Sequence, residues 1–148
     1  MSYSPNFRGP LAKAPAESVQ SVAYNNTGGP LNTLTPVYAD ASGELSAVDV
    51  SVEAEVFSVI GLVAETISNA SWGPFITHGT IQNITTSNNF GDVLYISKAG
   101  DLTNTKPSIG VDGFVAGDWV VRIGAIKKNE TNPTYKDLVL HISVIGQL

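Results

Sequence analysis

The feature that most restricts this chain is its punctuation. Short runs of β-branched and aromatic residues are cut about every 8 to 12 residues by clusters of Gly, Asn, Asp and Pro. Nowhere does an apolar period of 3.6 persist long enough for an amphipathic helix. Such a chain must bury its apolar groups through strands, and many short strands with tight turns close into a barrel or stack into a sandwich.

The runs can be placed along the sequence. Ser18 to Tyr24 ends at the turn-rich Asn25-Asn26-Thr27-Gly28-Gly29-Pro30, and Leu34 to Tyr38 forms a second short strand. From Leu45 to Glu55, Val48, Val50, Val52 and Ala54 alternate with Asp49, Ser51, Glu53 and Glu55, a period of 2 that argues for a strand. Val56 to Ile67 is nearly continuous in apolar residues, as in a central strand covered on both faces. After a turn from Ser68 to Pro74, further strands are expected at Phe75 to Thr85, Val93 to Ser97, Trp119 to Ile126 and Leu138 to Ile145. The expected fold is all-β, a small β-barrel or sandwich of seven or eight short strands. Residues 1–18 form an extended N-terminal arm, marked by Pro5, Pro10 and Pro15, and 19–148 form a single β-barrel domain.

Composition narrows the function classes. With 43% hydrophobic and 14% charged residues, the chain can build a packed core. The net charge is −5 and the eight basic residues are scattered, so no nucleic acid partner is expected, because phosphate binding needs clustered cations. The absence of cysteine removes disulfides, thiol nucleophiles and zinc–thiolate sites. The longest apolar stretch, Val56 to Ala64, is far below the ~18 residues of a spanning helix, and no apolar stretch of signal-peptide length opens the sequence. No membrane association is expected, and synthesis in the cytoplasm is. Glycosylation patterns at Asn25, Asn69, Asn83 and Asn129 carry no weight in such a chain.

No constellation for catalysis stands out. His78 and His141 fall in different strands, no serine sits in Gly-x-Ser-x-Gly, and no glycine run forms a phosphate loop. Asp49, Glu53 and Glu55 would share one strand face, while Asp92, Asp101, Asp112 and Asp118 sit in separate turns. The expectation is a non-enzyme with no cofactor and no metal. The residues that draw attention instead are aromatic. Trp72, in its turn, is either a lid on one end of the barrel or an anchor in a subunit contact, and Tyr3, Phe7 and Arg8 in the arm pose the same choice between idle and contacting.

Several of these segments, in order, resemble the small β-barrel head-decoration (cement) and head-fibre proteins of tailed bacteriophages. They are Val59-Ile60-Gly61-Leu62-Val63-Ala64-Glu65-Thr66-Ile67, His78-Gly79-Thr80-Ile81, Gly91-Asp92-Val93-Leu94-Tyr95-Ile96-Ser97-Lys98-Ala99-Gly100-Asp101-Leu102-Thr103, Lys106-Pro107 and Val121-Arg122-Ile123-Gly124. The resemblance covers roughly residues 45–148 and leaves the arm unmatched. In such proteins the segment matching Ala47 to Glu55 is often a short helical or turn-like insertion, against the period-2 reading. What the resemblance implies is a structural virion protein on the outer surface of the capsid. It would bind the major capsid protein and stabilise the expanded shell, as a homotrimer first and a dimer second. Tyr3, Phe7, Arg8 and Trp72 would be the capsid or subunit contacts, the arm acting as a strap. The alternative is a tail or head-fibre adhesion module that binds host surface glycan, with Trp72 as a stacking platform. A small glycan hydrolase would need a close pair of carboxylates that the sequence does not offer.

Overall fold

A computed structural model of the protein describes residues 18–148. The expected arm contacts Tyr3, Phe7 and Arg8 lie outside the described residues. The fold is all-β. Among the described residues nine strands run in the order β1 (Ser18–Asn25), β2 (Pro36–Ala39), β3 (Leu45–Ala47), β4 (Val59–Val63), β5 (Ser71–Ile81), β6 (Val93–Ile96), β7 (Leu102–Thr103), β8 (Trp119–Lys128) and β9 (Lys136–Gln147), with one helical turn, α1 (Glu53–Val56), before β4.

Five strands close on themselves. The hydrogen-bonded order β1-β3-β2-β4-β5 is completed by an antiparallel β5–β1 ladder that runs from Ser18 opposite Gly79 to Asn25 opposite Ser71. The result is a small closed barrel without free edges along its wall. From the far end of β5 a second sheet continues as β9-β8-β6-β7, joined through Thr80 opposite Val139 and Ile81 opposite Leu138. Each part has its own core. Leu31, Val37, Leu45, Val63, Ile67 and Phe75 fill the barrel. Leu62, Leu94, Ile96, Phe114, Val121, Ile123, Ile126 and Leu138 pack with Val48, Val50 and Val56 beneath the second sheet. Consecutive residues of β4 therefore serve different cores, Leu62 one and Val63 the other, because successive side chains of a strand point to opposite faces. This is the central strand expected from the apolar run, although it occupies only Val59–Val63.

Two expectations are corrected. The stretch from Leu45 to Glu55 is not one strand: the ladder stops at Ala47, and the chain turns into α1. Its carboxylates explain why. Asp49 accepts hydrogen bonds from Ser51 N–H (2.9 Å) and Ser51 Oγ (2.7 Å), and Glu55 accepts from Asp49 N–H (2.9 Å), so the acidic side chains hold turns instead of lining a sheet face. Period 2 still reported burial, since Val48 and Val50 are inside while Val52 is 38% exposed. The segment Ser68–Pro74 is not all turn either, because β5 starts at Ser71 and takes Trp72 with it.

Buried polar groups pin the loops. Asn25, fully buried, donates through Nδ2 to the carbonyls of Gly29 and Ile67 (2.8 Å each) and accepts at Oδ1 from Thr27 N–H and Oγ1, which uses its whole hydrogen-bonding capacity. Asp137, equally enclosed, accepts from Asn83 N–H (2.9 Å), Asn129 Nδ2 and Lys127 Nζ. Asp118, 2% exposed, takes both of its oxygens to Lys98 Nζ at 2.8 Å and accepts Val115 N–H at 2.9 Å. Burial pushes the Asp118 carboxyl upward, but the hydrogen bonds and charge of Lys98 and the Val115 amide outweigh it and hold the group below its ordinary value.

Close backbone approach fixes two glycines. A Cβ on Gly61 would lie 2.1 Å from the Ile76 carbonyl oxygen, and one on Gly124 would lie 2.0 Å from that of Val139. Gly29 would meet nothing within 4 Å. Gly61→Ala and Gly124→Ala are each expected to cost about 3 kcal/mol or more, whereas Gly29→Ala stays within about 0.5 kcal/mol; urea denaturation of the three variants checks the contrast. A depressed folded-state pKa means that the stability Asp118 supplies is present above its unfolded pKa of about 3.9 and is lost as pH falls through the folded value. Asp118→Asn should therefore flatten the fall of stability below about pH 4, and an equally steep fall in the variant would reject this assignment.

Candidate interaction surface

An uncharged, partly exposed apolar surface lies on the outer side of the ribbon made by β1 and β5. Neither Ser18–Asn25 nor Ser71–Ile81 contains Asp, Glu, Lys or Arg, and the two strands are registered along their length. Alternation divides β5: Gly73 and Phe75 are buried, Phe75 in the barrel core, while Trp72 and Pro74 face outward. The inner position of Gly73 is forced, because a Cβ there would lie 2.4 Å from the Ile67 side chain. Across the ladder Tyr24 opposes Trp72 and Val22 opposes Pro74, so these four form one outer cluster. The Tyr24 and Trp72 rings meet edge to face, with centroids 5.4 Å apart and planes at 63°. Trp72 remains 70% exposed and Val22 61%. Val19, 57% exposed, lies past the bulge between Val19 and Gln20.

Trp72 thus has neither a loop position nor a lid position. It stands on the barrel wall, held by its strand and by Tyr24, with most of its surface in solvent. Exposed single apolar residues are ordinary, but an aromatic–aliphatic cluster on two paired strands without any charge is what protein contacts are built from. Val19, Val22 and Tyr24 were not singled out from sequence. The signal that could have found them is that neither strand carries a charge on either face, which is unusual for strands with a solvent-facing side.

The other sequence candidates are placed as follows. His78 and His141 do come to one groove, of about 630 Å3, where β4, β5 and β9 diverge. Its walls are otherwise Val59, Ile60, Leu140 and Ile142 with Thr77, whose Oγ1 lies 2.9 Å from His78 Nδ1. No carboxylate lines this groove, and among the described residues no three His, Asp or Glu side chains gather as a metal would require. Asp49 and Asp92 are each held below the ordinary carboxylate range by local donors, Ser51 for the first and Asn89 N–H with Asn104 Nδ2 for the second. These carboxylates are engaged in turns. No family model, curated protein or solved structure matches the chain.

If the ribbon is a contact surface, its apolar character is dispensable for folding. Val22→Lys and Trp72→Ala should each change unfolding free energy by less than about 1 kcal/mol, since both side chains are mostly in solvent. Chemical denaturation checks this, and a loss comparable to that of a core deletion would mean the cluster is structural.

Proposed function

We propose that this protein acts by binding, without catalysis, as a decoration protein on the outer surface of a bacteriophage head. The observation that carries the reading is the uncharged outer face of β1 and β5, with Trp72 standing 70% exposed beside Tyr24 and Val22. A closed barrel offers a rigid platform, so an exposed tryptophan on its wall is presented at small entropic cost. Tryptophan and tyrosine at the centre of an apolar patch are the residue types that dominate binding energy at protein contacts. The resemblance of residues 45–148 to head-decoration proteins supplies the partner class: the major capsid protein, with a homotrimer of this chain as the decorating unit.

Two experiments test the reading together. Immunogold labelling of particles from the source lysate should place this protein evenly over heads. Purified protein added to heads lacking it should rebind, and Trp72→Ala should weaken rebinding by about 30-fold, the equivalent of about 2 kcal/mol. Label confined to tails or sparse spikes would favour the adhesion module, whose glycan would stack on Trp72. Absence of label from all particles would overturn both.

A further inference from the structure

A second concave surface shares no residue with the ribbon. It is a groove of about 520 Å3 at the seam between the barrel and the second sheet, formed by the loop after β1 (32–35), the loop after β5 (84–88) and the β6–β7 hairpin with the residues that follow (101–104). Leu34, Ile84, Leu94 and Leu102 make an apolar floor. Around it stand neutral hydrogen-bonding side chains, and those of Asn32, Thr35, Thr85, Ser87 and Asn88 make no hydrogen bond within the described protein. Their donors and acceptors face the groove or solvent, uncommitted. Among the described residues the lining holds one carboxylate, Asp101, which is engaged by the Ser97 hydroxyl, and no Lys or Arg.

Both walls are pre-formed. Leu34 sits at φ 69°, a left-handed conformation that a branched apolar residue rarely adopts and that surrounding structure must impose. Its N–H donates to the Val63 carbonyl at 2.8 Å, from the strand at the centre of the fold. Opposite, Asn83 at φ 51° donates its N–H to buried Asp137, and Ile84 N–H donates to the Lys136 carbonyl at 2.8 Å. Strained backbone held by interior hydrogen bonds concentrates where a binding geometry is maintained.

We infer that this groove is a binding site for a neutral carbohydrate. An anion would find no cation among the described lining residues, and a metal would find one carboxylate already engaged. An apolar ligand would strip water from five neutral polar side chains and leave them unpaired. A sugar matches both surfaces at once: its hydroxyls can both donate to and accept from Asn, Thr and Ser, and its C–H face packs on the leucine and isoleucine floor. The inference does not depend on where the protein sits on a particle.

The test is an amide chemical-shift titration of the full chain with neutral oligosaccharides (maltotriose, chitotriose, lactose and mannobiose) and two charged ones (sialyllactose and a heparin disaccharide). At least one neutral member should shift the amides of Thr35, Thr85 and Ser87 saturably, with a Kd of about 1 mM or tighter. The exposed-side double variant Thr85→Ala/Asn88→Ala should keep the wild-type spectrum elsewhere and bind at least about 10-fold more weakly. The inference is overturned if no neutral member moves these amides, if shifts are confined to Tyr24 and Trp72, or if the charged members bind the groove equally well.

Discussion

The two parts of this molecule depend on one strand. β5 spends most of its length closing the barrel against β1 and β4, then gives its last two residues, Thr80 and Ile81, to β9. The handover happens at Gly79, whose φ of 97° is open to glycine and costly for any other residue. The divergence of β4 and β9 from this point also creates the histidine groove, which is a consequence of the geometry before it is anything else.

Because the sheets are short, much of the chain lies in loops, and loops are ordered here by buried polar side chains. Asn25 holds the turn after β1 against the strand-like crossing at Leu31 and Ile67; Asp137 gathers Asn83, Asn129 and Lys127; Asp118 joins Lys98 to the approach of β8. Each is fully enclosed, so each would be a liability if left unpaired, and each is supplied with partners from more than one segment. This arrangement also explains two glycosylation patterns without function. Asn25 and Asn129 are inside, with their amide nitrogens already donating to Gly29 and Ile67 in one case and to Asp137 in the other.

The strands were legible because apolar alternation and glycine-rich turns are local signals, and β1, β6, β8 and β9 lie close to where those signals put them. What was not legible depends on side-chain geometry that a hydrophobic period does not carry. The Val48–Val50 alternation reads as ladder, yet the backbone there is fixed by Asp49 and Glu55 reaching neighbouring amides, an outcome that depends on side-chain geometry and not on period. Trp72 reads as a turn residue because Gly73 and Pro74 have turn character. Gly73 is present for a steric reason, the Ile67 side chain beneath it, and Pro74 sits on a strand whose ladder bends at a bulge nearby. The seam groove had no sequence signal at all, since its polar residues come from three loops whose ordinary reading is solvated connection.

The bare face of the β1–β5 ribbon poses the sharper physical question, because a chain with a net charge of −5 had ample acidic residues with which to cover it. Acidic side chains instead hold turns at Asp40, Asp49, Asp92 and Asp101 and buried ties at Asp118 and Asp137. Charge on the ribbon would cost the fold nothing, since Val22 and Trp72 face solvent and the barrel core lies on the other side of the strands. An uncharged face is what the proposed contact would require: like charges brought together in a symmetric or repeated contact repel, and an isolated charge must be desolvated without a partner. The ribbon's composition, more than its shape, is thus what the proposed contact rests on.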